Sequence, residues 1–309
     1  MKPGRSVPMF ITPLFSDLLH MRKSALTRWW KNTTLRTQPG VHSVAGPSPY
    51  IMRPLSLPTT LVLVRDGSIA RLTLNRPDKR NALDETLIGA IRDAFSALGA
   101  DESVRVITLT GAGGHFCSGL DLHYLQKISE FGPVENLADS KNFRDMLMAI
   151  YRCPKPVIAQ VSGYALAGGC GIASACDLII ADTTAQFGYT EVRFGFVPAI
   201  VSPFLVRRVG ESHAKDLLLT ARIVSAEEAA RMSLVSKVVA AENLSSTVAE
   251  YAHLFAKNSA SSLALTKGMF ESFGALPLTS ALDHACDLNA RTRQTPDFKA
   301  GLAKFLEKK

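Results

Sequence analysis

Short apolar, β-prone runs at 61–64 and 70–74 flank Arg65-Asp66-Gly67-Ser68, a turn signal, so the first patterned stretch predicts a β-hairpin. The period then changes. Behind Asp84, apolar residues fall at Leu87, Ile88, Ile91, Ala94, Phe95 and Leu98, the spacing of one helix face, with Asp84 as its N-cap. A strand at 104–109, a helix at 134–151 and a strand at 157–161, punctuated by Pro154 and Pro156, continue the alternation. That order predicts an α/β fold with a partly parallel sheet. From 200 onward the pattern is helical, with amphipathic stretches at 201–209, 212–219, 226–230, 244–256, 261–273, 279–290 and 296–306. No short-period repeat is present.

Composition changes this picture at one end only. The 309 residues, 47% of them hydrophobic, suffice for one large domain or two small ones. The formal net charge is +8, yet residues 1–57 hold eight cations (Lys2, Arg5, Arg22, Lys23, Arg28, Lys31, Arg36, Arg53) against Asp17 alone. The remaining chain is nearly neutral, which gives no support for a nucleic-acid-binding surface. A basic, acid-poor, Ser- and Thr-bearing start is expected of a mitochondrial targeting segment, here 1–57, and places the protein in the matrix. A disordered basic tail is the plainer alternative. A secretory signal fits less well, because no clean apolar region precedes a small-residue cleavage site. The apolar run 9–19 is broken by Pro13 and Asp17, and no later stretch is long and apolar enough to span a bilayer.

The five cysteines, Cys117, Cys153, Cys170, Cys176 and Cys286, are odd in number and lack CxxC spacing, so neither a disulfide framework nor a metal site is expected. They read as small buried hydrophobes in a reducing compartment.

Candidate chemistry centres on glycine. The run 156–161 feeds Gly163-Tyr164-Ala165-Leu166-Ala167-Gly168-Gly169-Cys170-Gly171, which opens a further apolar segment. Strand, glycine turn and helix start together aim backbone N–H groups at an anion. A second relaxed turn lies in His115-Phe116-Cys117-Ser118-Gly119-Leu120-Asp121, where Gly119 frees the Leu120 N–H to point into a cleft. Both turns are expected to follow strands of one sheet. Two convergent N–H donors suit a thioester or enolate oxyanion, and losing one such donor typically costs ~10²–10³ in rate. Glu191 supplies one acid on a later segment. Gly111-Ala112-Gly113-Gly114 fails as a dinucleotide fingerprint, since Phe116 stands where the third glycine should be. The chain also lacks GxxxxGK[ST] and GxSxG, which argues against a nucleotide-phosphate fold or a serine hydrolase.

Taken in order, Asn75-Arg76-Pro77-Asp78-Lys79-Arg80-Asn81-Ala82-Leu83, Phe116-Cys117-Ser118-Gly119-Leu120-Asp121-Leu122, Lys155-Pro156-Val157-Ile158-Ala159, the Gly168-Gly169 turn, Cys176-Asp177-Leu178 and Phe187-Gly188 through Glu191, Gly195 and Pro198 resemble the enoyl-CoA hydratase/isomerase (crotonase) family. The block 219–239 and the ending 297–309 continue the resemblance, which covers the chain from about Leu61. It implies a spiral of ββα units as a core domain over 58–250. A C-terminal helical trimerisation region would follow over 251–309, with assembly as a homotrimer or dimer of trimers. It implies an acyl-CoA substrate, coenzyme A being part of that substrate and no further cofactor or metal being needed. By position, the Leu120 and Gly168 N–H groups would hold the thioester oxygen. Lys79, Arg80, Ala82 and Ser118 would meet the CoA moiety, and Lys267 would contribute from a neighbouring subunit. Outside the resemblance, the basic loop is simply a solvated turn.

The resemblance also exposes a gap. Hydratases of the family carry two acids, and this chain has Gly171 at the first position and Glu191 at the second. A missing general acid or base commonly costs ~10²–10⁴ in rate. Two catalytic readings follow: hydration of a 2-enoyl-CoA, and Δ3,Δ2-isomerisation with Glu191 alone. Dienoyl isomerisation is disfavoured, because its extra Asp falls at Ala199. Residues 190–203 resemble the methylglutaconyl-CoA branch of the hydratases, whose substrate has a second carboxylate. A non-catalytic acyl-CoA-binding protein is a third reading, opposed by Glu191, since an acid in an apolar pocket is costly without a use. A salt bridge from Glu191 to Arg193 or another surface cation would be its structural alternative. Asp177 reads as holding a strand end, His115 and His123 as loop polar groups, and Tyr164 and Tyr189 as packing near the acyl pocket.

Overall fold

The computed structural model describes residues 57–307; apart from Leu57, the expected targeting segment lies outside them. Nine strands are described: β1 (Leu61–Asp66), β2 (Ile69–Leu74), β3 (Val106–Gly111), β4 (Val157–Val161), β5 (Tyr164–Leu166), β6 (Leu178–Asp182), β7 (Gln186–Gly188), β8 (Ile223–Ser225) and β9 (Lys237–Val239). The helices are α1 (Glu85–Ala100), α2 (Leu122–Ser129), α3 (Pro133–Tyr151), α4 (Gly168–Ala175), α5 (Ser202–Thr220), α6 (Ala226–Arg231), α7 (Leu244–Lys257), α8 (Ala260–Phe273), α9 (Leu278–Thr292) and α10 (Pro296–Leu306).

β1 and β2 form the expected antiparallel hairpin, turned at Gly67 with φ +57°. A six-stranded sheet then runs in the order β1-β2-β3-β4-β6-β9, parallel from β2 onward. Its central strands are apolar along their length because both faces are covered. Alternate residues Ile69, Val106, Ile158 and Ile180 point to Leu244, Val248 and Ala252 of α7. Their neighbours Ala70, Ile107, Ala159 and Ile179 point to the main core with α1 and α3. Asp84 caps α1 as expected, its carboxylate accepting from the Leu87 N–H at 2.9 Å.

The sequence reading differs from the structure at definite places. The helices expected at 201–209 and 212–219 form one element, α5, kinked at Gly210 where φ is +74°. The boundary expected at 250/251 falls inside α7. β5, β7 and β8 make a second sheet of three strands with three residues each, too short to produce a readable period. The repeated strand–strand–helix order β4-β5-α4 and β6-β7-α5 is the ββα spiral that the resemblance implies.

Candidate active site

β5 interrupts the expected path from the 156–161 strand to the glycine turn, and this corrects where the site is built. The turn at Ala167 grows out of the small sheet, with the Ala167 N–H donating to the Gly188 carbonyl at 2.7 Å. Cys117 bridges to Ala165 of β5, so the second turn is fastened to the same small sheet rather than following a strand of the large one. Ala167 has φ +49° and ψ −124°, a strained conformation for a residue with a side chain, and α4 starts directly after it. Gly119 has φ +99°, and a Cβ there would come within 2.9 Å of the Ala167 Cβ and 3.7 Å of the Gly168 nitrogen. Gly169 presses on the Cys117 carbonyl, which a Cβ would approach to 2.2 Å. The two turns therefore touch only because each places a glycine against the other, Gly119 against Ala167 and Gly169 against Cys117.

Their amides are left over. Ser118 N–H donates to Arg80, Asp121 N–H to Leu83 and Gly171 N–H to Ala167, whereas the Leu120 and Gly168 N–H groups have no acceptor among the described residues. Phe143 of α3 and Leu83 close the space beside Gly168.

Glu191 opens a short 3₁₀ turn, Glu191–Phe194, just beyond β7. It is half-buried, and its Oε2 is buried with no hydrogen-bond partner. Burial raises its carboxyl above the usual Glu range. The salt-bridge alternative fails, since Arg193 donates to the Ala221 carbonyl instead. Gly171, where the resemblance puts a first acid, is packed shut: a Cβ there would lie 2.3 Å from Val201 Cγ1 and 3.0 Å from Val201 Cβ. Tyr189 is fully buried, and its hydroxyl meets the Ser174 hydroxyl of α4 at 2.9 Å.

The basic loop gathers on Asp121. Arg76 and Lys79 each reach its Oδ2 at 2.9 Å, and Arg76 also reaches Asp84 at 3.1 Å. Burial opposes the charge on Asp121, yet hydrogen bonds from Lys79, the His123 N–H and Arg76 prevail and hold it at about 2. Lys79, Arg80, Ala82 and Ser118 converge here: Ser118 N–H donates to the Arg80 carbonyl and Ala82 N–H to the Lys79 carbonyl, both at 3.0 Å. The Arg80 guanidinium lies 5.4 Å from the centre of the Tyr164 ring, which stacks on His115 at 4.8 Å. His115 is a loop polar group, Nδ1 accepting from the Tyr164 N–H at 3.2 Å, and His123 is exposed on α2.

Lys267 is not brought to this corner. Its Nζ pairs with Asp177 at 2.7 Å and donates to the Lys155 carbonyl at 3.2 Å, all within one chain. Asp177 also accepts from the Val157 N–H at 2.7 Å and so ties the starts of β4 and β6 together, as expected. Two residues escaped the sequence reading. Asn81, fully buried with φ +57°, accepts from Arg76 N–H and donates to the Ala112 and His115 carbonyls, joining two loops. Arg208 donates to the carbonyls of Ser174 at 2.8 Å, Cys176, and Asp177 at 3.3 Å. Nothing in sequence spacing marks either one. Among the described residues no group of His, Cys, Asp and Glu side chains is arranged to hold a metal ion.

A pair of free amides can polarise a carbonyl oxygen, and a desolvated carboxylate can move a proton beside it. Comparison with known proteins points the same way. A family model described as enoyl-CoA hydratase/isomerase matches residues 65–309. A Thermus thermophilus protein named as an enoyl-CoA hydratase is 41% identical over 249 residues, covering 81% of this chain and 98% of the relative. A Dictyostelium discoideum protein named as a mitochondrial enoyl-CoA hydratase is 33% identical, covering 87% and 95%. The crystal structure of an enoyl-CoA hydratase from Mycobacterium smegmatis superposes with a TM-score of 0.77 at 33% identity, covering 81% of this chain and 97% of that one.

Proposed function

The chain belongs to the enoyl-CoA hydratase/isomerase family, and from that premise we propose that it hydrates a 2-enoyl-CoA thioester, Glu191 being its sole proton carrier. The observation that carries this reading is the buried Oε2 of Glu191, which has no hydrogen-bond partner, in a chain that also leaves the Leu120 and Gly168 N–H groups without an acceptor among the described residues. The Leu120 and Gly168 N–H groups receive the thioester oxygen. Glu191 takes a proton from water, hydroxide adds to C3, and the negative charge moves onto the thioester oxygen. Glu191 then returns the proton to C2. The thioester is the electron sink, so the reaction needs no further cofactor. Lys79, Arg80, Ala82 and Ser118 form the corner that meets the CoA moiety. A methylglutaconyl-like substrate would bring a second carboxylate that takes over part of the missing acid's work.

The closed space at Gly171 supports a second reading, Δ3,Δ2-isomerisation, in which one carboxylate moves one proton along the acyl chain. Exposed Phe270, Leu278, Leu282 and Phe305 on the last helices support trimeric assembly. The basic start of the chain and the mitochondrial name of the Dictyostelium relative support a matrix location.

A panel of three substrates separates the readings. Hydration removes the conjugated absorbance of crotonyl-CoA or 3-methylglutaconyl-CoA, whereas isomerisation creates it from 3-hexenoyl-CoA. No change with any of them, combined with measurable thioester binding, would leave only a binding protein.

A further inference from the structure

Arg208 is half-buried and makes no salt bridge among the described residues. Burial lowers its pKa, a sign that the guanidinium is desolvated. Its donors go instead to three carbonyls, those of Ser174, Cys176 and Asp177, at the C-terminal end of α4. The Ser174 and Cys176 carbonyls are orphan acceptors of that helix end, and Asp177 lies one residue past its cap. A desolvated cation without a counter-ion is a costly cap. Asp177 attracts Arg208, but its carboxylate is paired with Lys267, so Arg208 has no counter-ion of its own.

The other end of the same helix carries the Gly168 amide. α4 has eight residues, all buried, so on the order of 12 Å of low-dielectric helix separates the guanidinium from that amide. A cation at the C-terminus offsets the negative end of the helix dipole and leaves the positive end, at Gly168, unopposed. Arg208 also fixes the helix mechanically. Its grip on Ser174 lies beside the Ser174–Tyr189 hydroxyl contact, two residues before Glu191.

We propose that Arg208 is a positioning residue for the thioester chemistry, anchoring the oxyanion helix and adding positive potential at the Gly168 N–H, so that it favours the enolate over the neutral thioester. This rests on the reading that Gly168 receives the thioester oxygen. The test compares Arg208→Gln, which keeps donors for the carbonyls but removes the charge, with Arg208→Lys, which keeps the charge. Full-length wild type and both variants are assayed for kcat and KM, for affinity toward a saturated acyl-CoA, and for the enolisation pKa of bound acetoacetyl-CoA, read from its enolate absorbance. The Gln variant should lose about tenfold or more in kcat and raise the bound-ligand pKa by about one unit, with KM and saturated-ligand affinity unmoved. The Lys variant should keep the wild-type ligand pKa. Equal losses in both variants, or a bound-ligand pKa that does not move in the Gln variant, overturns the proposal. A wild-type protein that neither turns over enoyl-CoA nor enolises the bound ligand brings down the thioester reading, and the proposal with it.

Discussion

Replacing Gly171 with alanine adds one methyl group to the helix that opens at the free Gly168 amide, and Val201 already occupies its place. The new Cβ would lie 2.3 Å from Val201 Cγ1 and 3.0 Å from Val201 Cβ, both well inside ordinary carbon–carbon contact. Val201 is buried at the start of α5 and cannot swing into solvent. Overpacking of this kind costs about 1–3 kcal/mol, while the better helix propensity of alanine returns up to about 1. A net loss of about 1–2 kcal/mol follows, a few degrees in Tm for a domain of this size. Val201→Ala alone should cost about 1–2 kcal/mol through the cavity it leaves. The informative measurement is the double variant, by urea denaturation followed by circular dichroism. Because the added methyl fills the space that the valine vacates, the combined cost should fall below the sum of the single costs by about 1–2 kcal/mol. Additive costs, within about 0.5 kcal/mol, would refute the claim that Val201 closes this position.

Glu191→Gln should abolish turnover while preserving acyl-CoA binding, checked by direct titration; surviving activity would remove Glu191 as the base. Its carboxyl is raised in the folded state, so ionising it opposes folding: the penalty is absent below the unfolded Glu pKa, grows between the unfolded and the raised folded value, and is constant above that. Glu191→Gln should therefore raise Tm near neutral pH and lose that advantage in acid, and the wild-type rate should fall on the acid side at a pH above the ordinary Glu range. Gly168→Pro deletes one donor at a first helical position and also strains Ala167, whose φ +49° and ψ −124° lie outside the extended region a residue before proline prefers, so kcat should drop at least ~10²–10³-fold while a lower Tm reports the added strain. Asp121→Asn keeps the cap on α2 but removes the carboxylate that Arg76 and Lys79 share, leaving Arg76 with Asp84 as its remaining acid, and should cost about 1–2 kcal/mol at neutral pH. Since Asp121 is held at about 2, that difference should shrink as pH falls from the ordinary Asp value toward it.

The long elements were legible because their burial is periodic. The Leu87-to-Leu98 stripe, the Asp84 cap and the 157–161 strand all stand in the structure where the pattern places them. The small sheet left no such trace, since three-residue strands held by a few main-chain bonds have no period to read. At the site, the glycines announced two turns but not that both hang on β5. Gly171 announced a missing acid, whereas the side chain that fills its place comes from thirty residues further on. Asn81 and Arg208 donate to main-chain carbonyls distant in sequence, and any residue type with an N–H or O–H donor could in principle do that. Only the fold selects these two.

Cys117 and Cys170 stand on either side of the touching turns, and both are wholly enclosed. Burial pushes each thiol up to about 12, which leaves roughly one thiolate in 10⁵ at pH 7. Cys286, by contrast, is exposed. A thiol reagent should thus modify Cys286 at once and reach the other two only when the turns come apart. Mapped at Cys117 and Cys170, apart from the likewise buried Cys153 and Cys176, slow labelling becomes a clock for local opening of the touching turns, and a bound acyl-CoA should slow it without affecting Cys286.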